Sequence, residues 1–436
     1  MSNVLQPLDQ AVFDIERATG TANLLQCAWI LPGAVNRRGL EHFHQRLRRD
    51  VLASRRIERS PLPFGRHRWV ASSRMSDIEF VTTARPRSDF SDWLNEQPGI
   101  MLDPEHGPGW HLAALPFTDG GSGVSLVISH CLTDGIGLCD ALVNAAGDGD
   151  ADANWPDAAS RRRSRALRED LRQTVRDTPA VGRAGAAVLR MGRQERESAE
   201  PTLPEHTGGD EMVVIPRATI FVDAGDWDSR AETLGGTSNT LLAAFAARLA
   251  TGLRRVTADG LVTLDMPVNE RTPGDTRAGA VRDAHVTVDP TSATTDLSGM
   301  RTAIKHALMQ HRETADDEMA LMPLVPLLPR RVLRRMVNVV HGSATRVVSS
   351  NLGAIDEAAN RPDGTEAAYF AMMWKYPHVT RELLHQGGGI LALLSGRLHG
   401  RVFVSVFAYQ PGHSNDQLPQ RLVDTLREFS LTGTVL

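Results

Sequence analysis

Residues 124–138 read Val-Ser-Leu-Val-Ile-Ser-His-Cys-Leu-Thr-Asp-Gly-Ile-Gly-Leu, and this stretch decides the local fold. The apolar run before Ser129 predicts a buried strand that ends at His130. Asp134 and Gly135 predict a tight turn, and Ile136, Leu138, Ala141 and Leu142 then predict a helix that Gly147 stops. Strand, turn and helix in that order place the His130 imidazole at a sheet edge, where it can face a cleft. Asp134 can fix the turn by accepting hydrogen bonds from backbone N–H groups or an arginine, and Gly135 permits close backbone approach. A neutral imidazole so placed can take a proton from a hydroxyl or amine as that group attacks an acyl carbon, a contribution of typically ~10²–10⁴-fold. The pattern H-x-x-x-D-G alone fits a structural histidine at a strand end equally well. The apolar strand before it and the amphipathic helix after it favour the chemical role.

The whole sequence has 436 residues, enough to bury a large core, and length alone suggests two or three domains. Its 48 basic and 52 acidic residues leave a formal charge of −4, which argues against a strongly basic nucleic-acid binder or an acidic tail. Apolar residues at 41% and charged residues at 23% are ordinary for a soluble globular protein. Lys305 and Lys375 are the two lysines; the other 46 basic residues are Arg, a bias that a GC-rich genome explains. Cys27, Cys131 and Cys139 form no C-x-x-C pair and no disulfide framework, so a reducing cytoplasm is the expected compartment. The N-terminus lacks the blocks of a signal peptide, and no apolar run approaches the ~20 residues of a membrane span. A soluble protein, at most peripheral to a membrane, is expected.

Outward from residues 124–138 the chain reads as two mixed α/β halves. Before it, strands are expected over 22–31, 67–71, 78–82 and 110–116, with a helical turn over 90–95. A helix is expected over 38–53, with Leu40, Phe43, Leu47 and Leu52 near one face. After Gly147 the composition shifts: residues 161–196 hold eleven Arg against four acids and no aromatic. Leu167, Leu171 and Val175 fall four apart and predict a helix, Pro179 is expected to break it, and 201–209 reads as an open loop. This stretch is the expected crossover between halves. It is either a solvated helix pair or a basic rim for coenzyme A phosphates, a carrier protein's acidic helix or anionic lipid. From Met212 a second half begins, with strands over 212–222, 261–268, 284–288, 345–350, 367–374, 390–394 and 401–408. Helices are expected over 303–310, 325–340 and 416–430, and one capped by Ser238 runs through Leu241, Phe245, Leu249 and Leu253. Two such halves would enclose a cleft.

At His130, Asp134 and Gly135 the sequence resembles the HHxxxDG active-site motif of the superfamily built on the chloramphenicol acetyltransferase fold. That superfamily includes nonribosomal peptide condensation domains and the wax ester synthase/diacylglycerol acyltransferase enzymes. Further segments resemble the latter group in order. Pro7-Leu8-Asp9 is similar to its PLD element and Ser238-Asn239-Thr240-Leu241-Leu242-Ala243 to its NDVVLA segment. Met266-Pro267-Val268-Asn269-Glu270-Arg271 is similar to its VPVSLR strand end, and Ser349-Ser350-Asn351-Leu352-Gly353 to its SNVPG strand. The chain departs from these patterns where Ser129 replaces the first motif histidine, Thr240 replaces the Asp of NDVVLA, and the Pro of SNVPG is missing.

The resemblance implies that His130 is the general base, which deprotonates the acceptor and later protonates the leaving thiolate. It implies a structural Asp134 that pairs with Arg271 across the two halves, a task suited to a bidentate guanidinium. Read without the resemblance, Arg271 fits a surface loop ahead of Thr272-Pro-Gly-Asp. Ser129 and Ser350 are expected beside the substrate. Asn351 is expected to donate near the developing oxyanion or line the tunnel, or else to form the turn before Leu352-Gly353.

Other chemistries find no support. Cys131 beside His130 invites a covalent thiol, but adjacent strand residues point to opposite faces, and a buried apolar Cys is expected. Ser122 lies in a hairpin signal, and the chain has no G-x-S-x-G elbow, G-x-x-x-x-G-K-[ST] loop or G-x-G-x-x-G fingerprint. His42 and His44 sit about 200° apart on a helix, and His306 and His311 are off one helical face, so no metal is expected. The expected fold is α/β, with two chloramphenicol-acetyltransferase-like halves, 1–156 and 211–436, forming a pseudo-dimer around an active-site tunnel. Residues 157–210 cross between them. The resemblance implies acyl transfer from a thioester, on coenzyme A or an acyl-carrier protein, to a hydroxyl in lipid or natural-product metabolism, without acyl-enzyme or tightly bound cofactor. The alternatives are a freestanding condensation enzyme that makes an amide or ester from a carrier-bound donor, and a catalytically silent module that binds an acyl or peptidyl carrier protein. No nucleic-acid partner is expected.

Overall fold

The computed structural model describes residues 2–147, 153–194, 211–313, 321–329, 332–333, 345–413 and 417–436. In chain order the first elements are α1 (Pro7–Thr19), β1 (Leu24–Leu31), α2 (Arg37–Leu47), β2 (Arg55–Glu58), β3 (Arg68–Ala71) and β4 (Glu79–Phe80). Next come α3 (Phe90–Glu96), β5 (Trp110–Pro116), β6 (Ser122–Ser129), α4 (Gly135–Ala146) and α5 (Arg163–Gln194). They continue with β7 (Arg217–Asp223), α6 (Ala224–Thr233), α7 (Ser238–Gly252), β8 (Val262–Asn269), β9 (Val281–Val288) and α8 (Ser298–Glu313). The last are β10 (Arg346–Ala354), β11 (Tyr369–Lys375), α9 (Arg381–Gln386), β12 (Ile390–Leu398), β13 (Arg401–Tyr409), α10 (Leu418–Glu428) and β14 (Thr434–Val435).

Strand β1, Leu-Leu-Gln-Cys-Ala-Trp-Ile-Leu, is buried at every position because a layer covers each face of its sheet. Its amide side chain is anchored through its nitrogen: Gln26 Nε2 donates to Leu94 O at 3.1 Å and to Ser125 Oγ at 2.8 Å. Helix α2 buries Leu40, Phe43 and Leu47 against this sheet, the face its apolar spacing predicts. It stops at Leu47 rather than running to residue 53, because the Asp50 carboxylate accepts from Leu52 and Ala53 N–H and turns the chain.

The first sheet has the order β11-β1-β6-β5-β4, and the second the order β14-β7-β13-β12-β10-β8-β9. A two-stranded ribbon pairs β2 with β3. Strand β11 lies in the last third of the sequence yet pairs antiparallel with β1 over seven residues, from Leu24↔Lys375 to Ile30↔Tyr369. The segment after residue 211 therefore lends an edge strand to the sheet that carries His130. Phe370, Met372 and Phe403 pack into the same core as Trp29 and Phe43, and Trp29 Nε1 donates to Ala359 O at 2.9 Å. The second core is built on α7, whose alanines 243, 244, 246, 247 and 250 let it be buried almost all round.

Several sequence expectations need correction. Pro179 sits inside a continuous α5 rather than ending it, and Leu167, Leu171 and Val175 are exposed although their helical spacing is right. Thr237, not Ser238, caps α7: its Oγ1 accepts from Thr240 N–H at 3.2 Å. Residues 322–327 form a 3₁₀ turn instead of opening a helix at 325, and 334–340 lie outside the described residues. The loop expected over 201–209 and Asp416 also lie outside them. Among the described residues, no helix is long and apolar enough to cross a membrane.

Candidate active site

The site is built where β6 ends. The turn after His130 leads into α4, and Asp134 is that helix's N-cap: its Oδ1 accepts from Gly137 N–H at 2.7 Å. Its second oxygen reaches the other half of the molecule. Oδ2 accepts from Arg271 Nη2 at 2.8 Å and from Ala280 N–H at 2.7 Å, while Asp134 N–H donates to Ala278 O at 2.8 Å. Both side chains of the Asp134–Arg271 pair are buried, at 3% and 5% exposure. The guanidinium makes one contact to the carboxylate rather than the bidentate pair expected. Its remaining bonds go to the carbonyls of Asp275, Arg277 and Ala278.

Those carbonyls belong to the β8–β9 connection, residues 270–280, which the first half grips in two further places. Asp9 accepts from Ala278 N–H at 3.2 Å and Gly279 N–H at 2.9 Å. Arg55 donates to Leu132 O at 2.7 Å and to Thr276 O, with its guanidinium 3.7 Å from the Trp69 ring centroid. Burial lowers the Arg55 pKa to about 9, against the attraction of Asp9 and Asp50. Three buried charged side chains, Asp9, Arg55 and Asp134, thus clasp one loop, each through its own set of hydrogen bonds.

Asp134, one member of the clasp, also lines a cavity of about 100 Å³ between the two sheets. Leu25, His130, Gly135, Ile136 and Trp374 line it from the first sheet and α4; Pro267, Asn269, Ser350, Asn351 and Leu394 line it from the second. Gly135 lets the turn approach the second half closely: a Cβ there would meet Leu352 Cδ2 at 2.8 Å, and the Leu352 side chain would have to shift. His130 has its pKa lowered: burial disfavours the imidazolium, and the backbone at His130 and Thr133 and the Asp134 charge offset this only in part. The imidazole is therefore neutral at pH 7 and able to accept a proton. Asn351 Oδ1 accepts from Gly353 N–H at 2.9 Å and its Nδ2 donates to Asn239 Oδ1 at 3.2 Å, so it forms the turn and lines the cavity together.

Solved structures share this fold. The first condensation domain of the calcium-dependent antibiotic synthetase, in complex with a substrate analogue, matches with a TM-score of 0.60 at 13% identity, over 99% of this chain and 96% of that one. The chain has the condensation-domain fold. Polyketide synthase associated protein 5 from Mycobacterium tuberculosis matches with a TM-score of 0.57 at 12% identity, over 98% and 95% of the two chains. The nonribosomal peptide synthetase FmoA3 matches with a TM-score of 0.53 at 19% identity, over 98% of this chain; the chain spans 42% of that synthetase. No protein family and no curated protein matches the sequence. These neighbours carry the condensation-domain part of the expected resemblance; they do not carry its wax ester synthase part.

Within this condensation-domain fold, His130, Asp134, Gly135, Ser350 and Asn351 meet at one cavity, with Arg271 behind Asp134. Ser129 does not join them: it is buried, does not line the cavity, and its Oγ accepts from Cys131 N–H. Cys131 is also buried, and its thiol donates to Glu16 Oε2 at 3.3 Å. Burial, with Glu16 beside it, pushes that thiol well above its ordinary range, which leaves no thiolate nucleophile. Arg161, expected on a basic rim, is held by Asp170 at 2.9 Å and by Glu58 and Glu169 at 3.5 Å. Sequence reasoning assigns no role to Arg55, Asp9 or Asn239. Asp9 and Asn239 lie inside the quoted PLD and NDVVLA-like segments, but nothing local marks Arg55, whose partners are 77 and 221 residues away.

Proposed function

We propose that this protein joins an acyl group, held as a thioester on a carrier, to a hydroxyl or amine acceptor, with His130 as the base. The neutral imidazole takes the acceptor's proton as its lone pair attacks the thioester carbonyl carbon. A tetrahedral intermediate forms, the C–S bond breaks, and the imidazolium returns the proton to the leaving sulfur. The products are an ester or amide and a free thiol, and His130 ends neutral with no acyl-enzyme formed. The observation that carries this reading is a neutral, largely enclosed imidazole in a cavity walled by both sheets, with Asp134 fully engaged in structure.

The condensation-domain neighbours favour a carrier-bound donor over the coenzyme A donor and bulk-lipid role implied by the sequence motifs. An apolar cavity of about 150 Å³ between α1 and α9, lined by Ala11, Ile15, Tyr376 and Leu384, suits an acyl tail. It adjoins the site through Asn23, whose carbonyl accepts from His130 N–H at 2.8 Å. The test is thiol release from acyl-carrier and acyl-CoA thioesters, with and without alcohols and amines, for the parent and His130→Ala. Acceptor-dependent release that vanishes in His130→Ala is expected. Release that survives the substitution would overturn the base assignment, and silence with every donor would favour a binding module.

A further inference from the structure

Beside the His130 cavity lies a second one, and its charge is unbalanced. Lys375, the last residue of β11, is 1% exposed. Among the described residues its Nζ reaches neutral acceptors alone, Leu94 O at 3.4 Å and Asn95 Oδ1 at 3.3 Å. Arg217, at the start of β7, sends both Nε (2.7 Å) and Nη2 to that same Asn95 oxygen. One amide oxygen thus serves two cations, and among the described residues no carboxylate pairs with either. Both line a cavity of about 240 Å³ bounded also by Trp374, Tyr376, His378 and Phe407, with no Asp or Glu among the described residues of its lining.

A buried cation such as Lys375 without a counter-charge is unfavourable, and proteins pair such a group or let it lose the proton. Burial, with Arg217 beside it, pushes the Lys375 amine well below its ordinary range, and burial brings Arg217 to about 10. A lysine can stand neutral in an empty pocket where an arginine would stay charged. This chain uses Lys at only two positions and Arg at 46, and one of the two is here.

We propose that Lys375 and Arg217 form a binding site for an oxyanion, a phosphate or carboxylate group, which supplies the counter-charge that the described residues of the pocket lack. The ammonium offers a point charge and the guanidinium a planar fork, both suited to oxygens. Trp374 lines this cavity and the His130 cavity alike, so the bound group lies beside the reaction site. The site stands on its own residues and does not depend on the acyl-transfer reading.

The test is calorimetric titration of the intact protein with inorganic phosphate and with acetate at constant ionic strength, for the parent, Lys375→Met and Arg217→Gln. Saturable binding of at least one anion is expected, weakened about tenfold or more in each variant by loss of a charge-assisted hydrogen bond. Preference for phosphate or for acetate names the group. Lys375→Met removes an amine without a carboxylate partner, so its fold should hold. No saturable binding in the parent, or binding equally tight in both variants, would overturn the proposal.

Discussion

Replacing Asp134 by Asn removes one charge and turns one acceptor into a donor, in a setting where every neighbour of the carboxylate is a donor. If the amide keeps its oxygen on Gly137 N–H, its NH₂ faces Ala280 N–H and Arg271 Nη2, two donors that need an acceptor. Arg271 is then a buried cation without its counter-charge, a loss of roughly 3–5 kcal/mol. If the amide flips, the NH₂ faces Gly137 N–H, and the lost cap costs about 0.5–2 kcal/mol with a neutral acceptor left for Arg271. The side chain takes the cheaper orientation, in which the lost cap and the lost counter-charge for Arg271 together cost about 2–4 kcal/mol out of a typical ~5–15 kcal/mol. Urea denaturation monitored by tryptophan fluorescence measures it, with thiol release assayed on the same samples. Activity should fall in step with the folded fraction, whereas His130→Ala should lose turnover near parental stability. An Asp134→Asn protein with the parental midpoint and no turnover would refute the reasoning, because the carboxylate would then act on substrate.

Three further outcomes are expected. Because the neutral form of His130 accepts the proton and its pKa lies below the ordinary 6.5, kcat/KM should stay level down past pH 6.5 and fall only below it; an acid limb centred at or above 6.5 would contradict this. Gly137→Ala would set a Cβ 2.6 Å from Thr133 Oγ1, 2.9 Å from Leu52 Cδ1 and 3.0 Å from Arg271 Cζ. Overpacking of about 1–3 kcal/mol should outweigh the helix-propensity gain of about 1 kcal/mol, so a raised denaturation midpoint would count against the clasp. Ile15→Trp should fill the apolar cavity and lower kcat/KM for long-acyl donors while sparing acetyl donors; an unchanged chain-length profile would place the acyl tail elsewhere.

The legible parts of this fold are those that local periodicity encodes. The strand at 110–116, the strand into His130 and the helix from Gly135 to Gly147 follow from apolar spacing and punctuation, and the structure places them with small shifts in their bounds. Helix α1 is hard to read because it mixes Asp, Gln and Glu with its apolar residues, and some of that polarity is buried rather than solvated, as at Asp9 and Gln10. Leu167, Leu171 and Val175 show the converse failure, since spacing reports a helix but not which face is covered. The pairing of β11 with β1 joins residues about 345 apart, which no local pattern encodes, and the burial of Lys375 is hidden for the same reason. In the site, motif order brings Asp134 and Arg271 together, but only geometry shows that Arg271 spends most of its donors on loop carbonyls.

The clasp explains why a base on one sheet can serve a cavity whose opposite wall belongs to another. His130 moves with β6 and α4, whereas Ser350 and Asn351 move with β10, and the two groups share no short stretch of chain. Their separation is set by long-range ties: β11 added to the first sheet, and the 270–280 loop held by Asp9, Arg55 and Asp134. A misplacement of about 1 Å between reacting groups can cost ~10²-fold in rate, so these ties act on the chemistry without touching substrate. Weakening a tie lowers stability and rate together, whereas changing the base lowers rate alone. Measuring both quantities on each variant therefore separates the residues that position His130 from His130 itself.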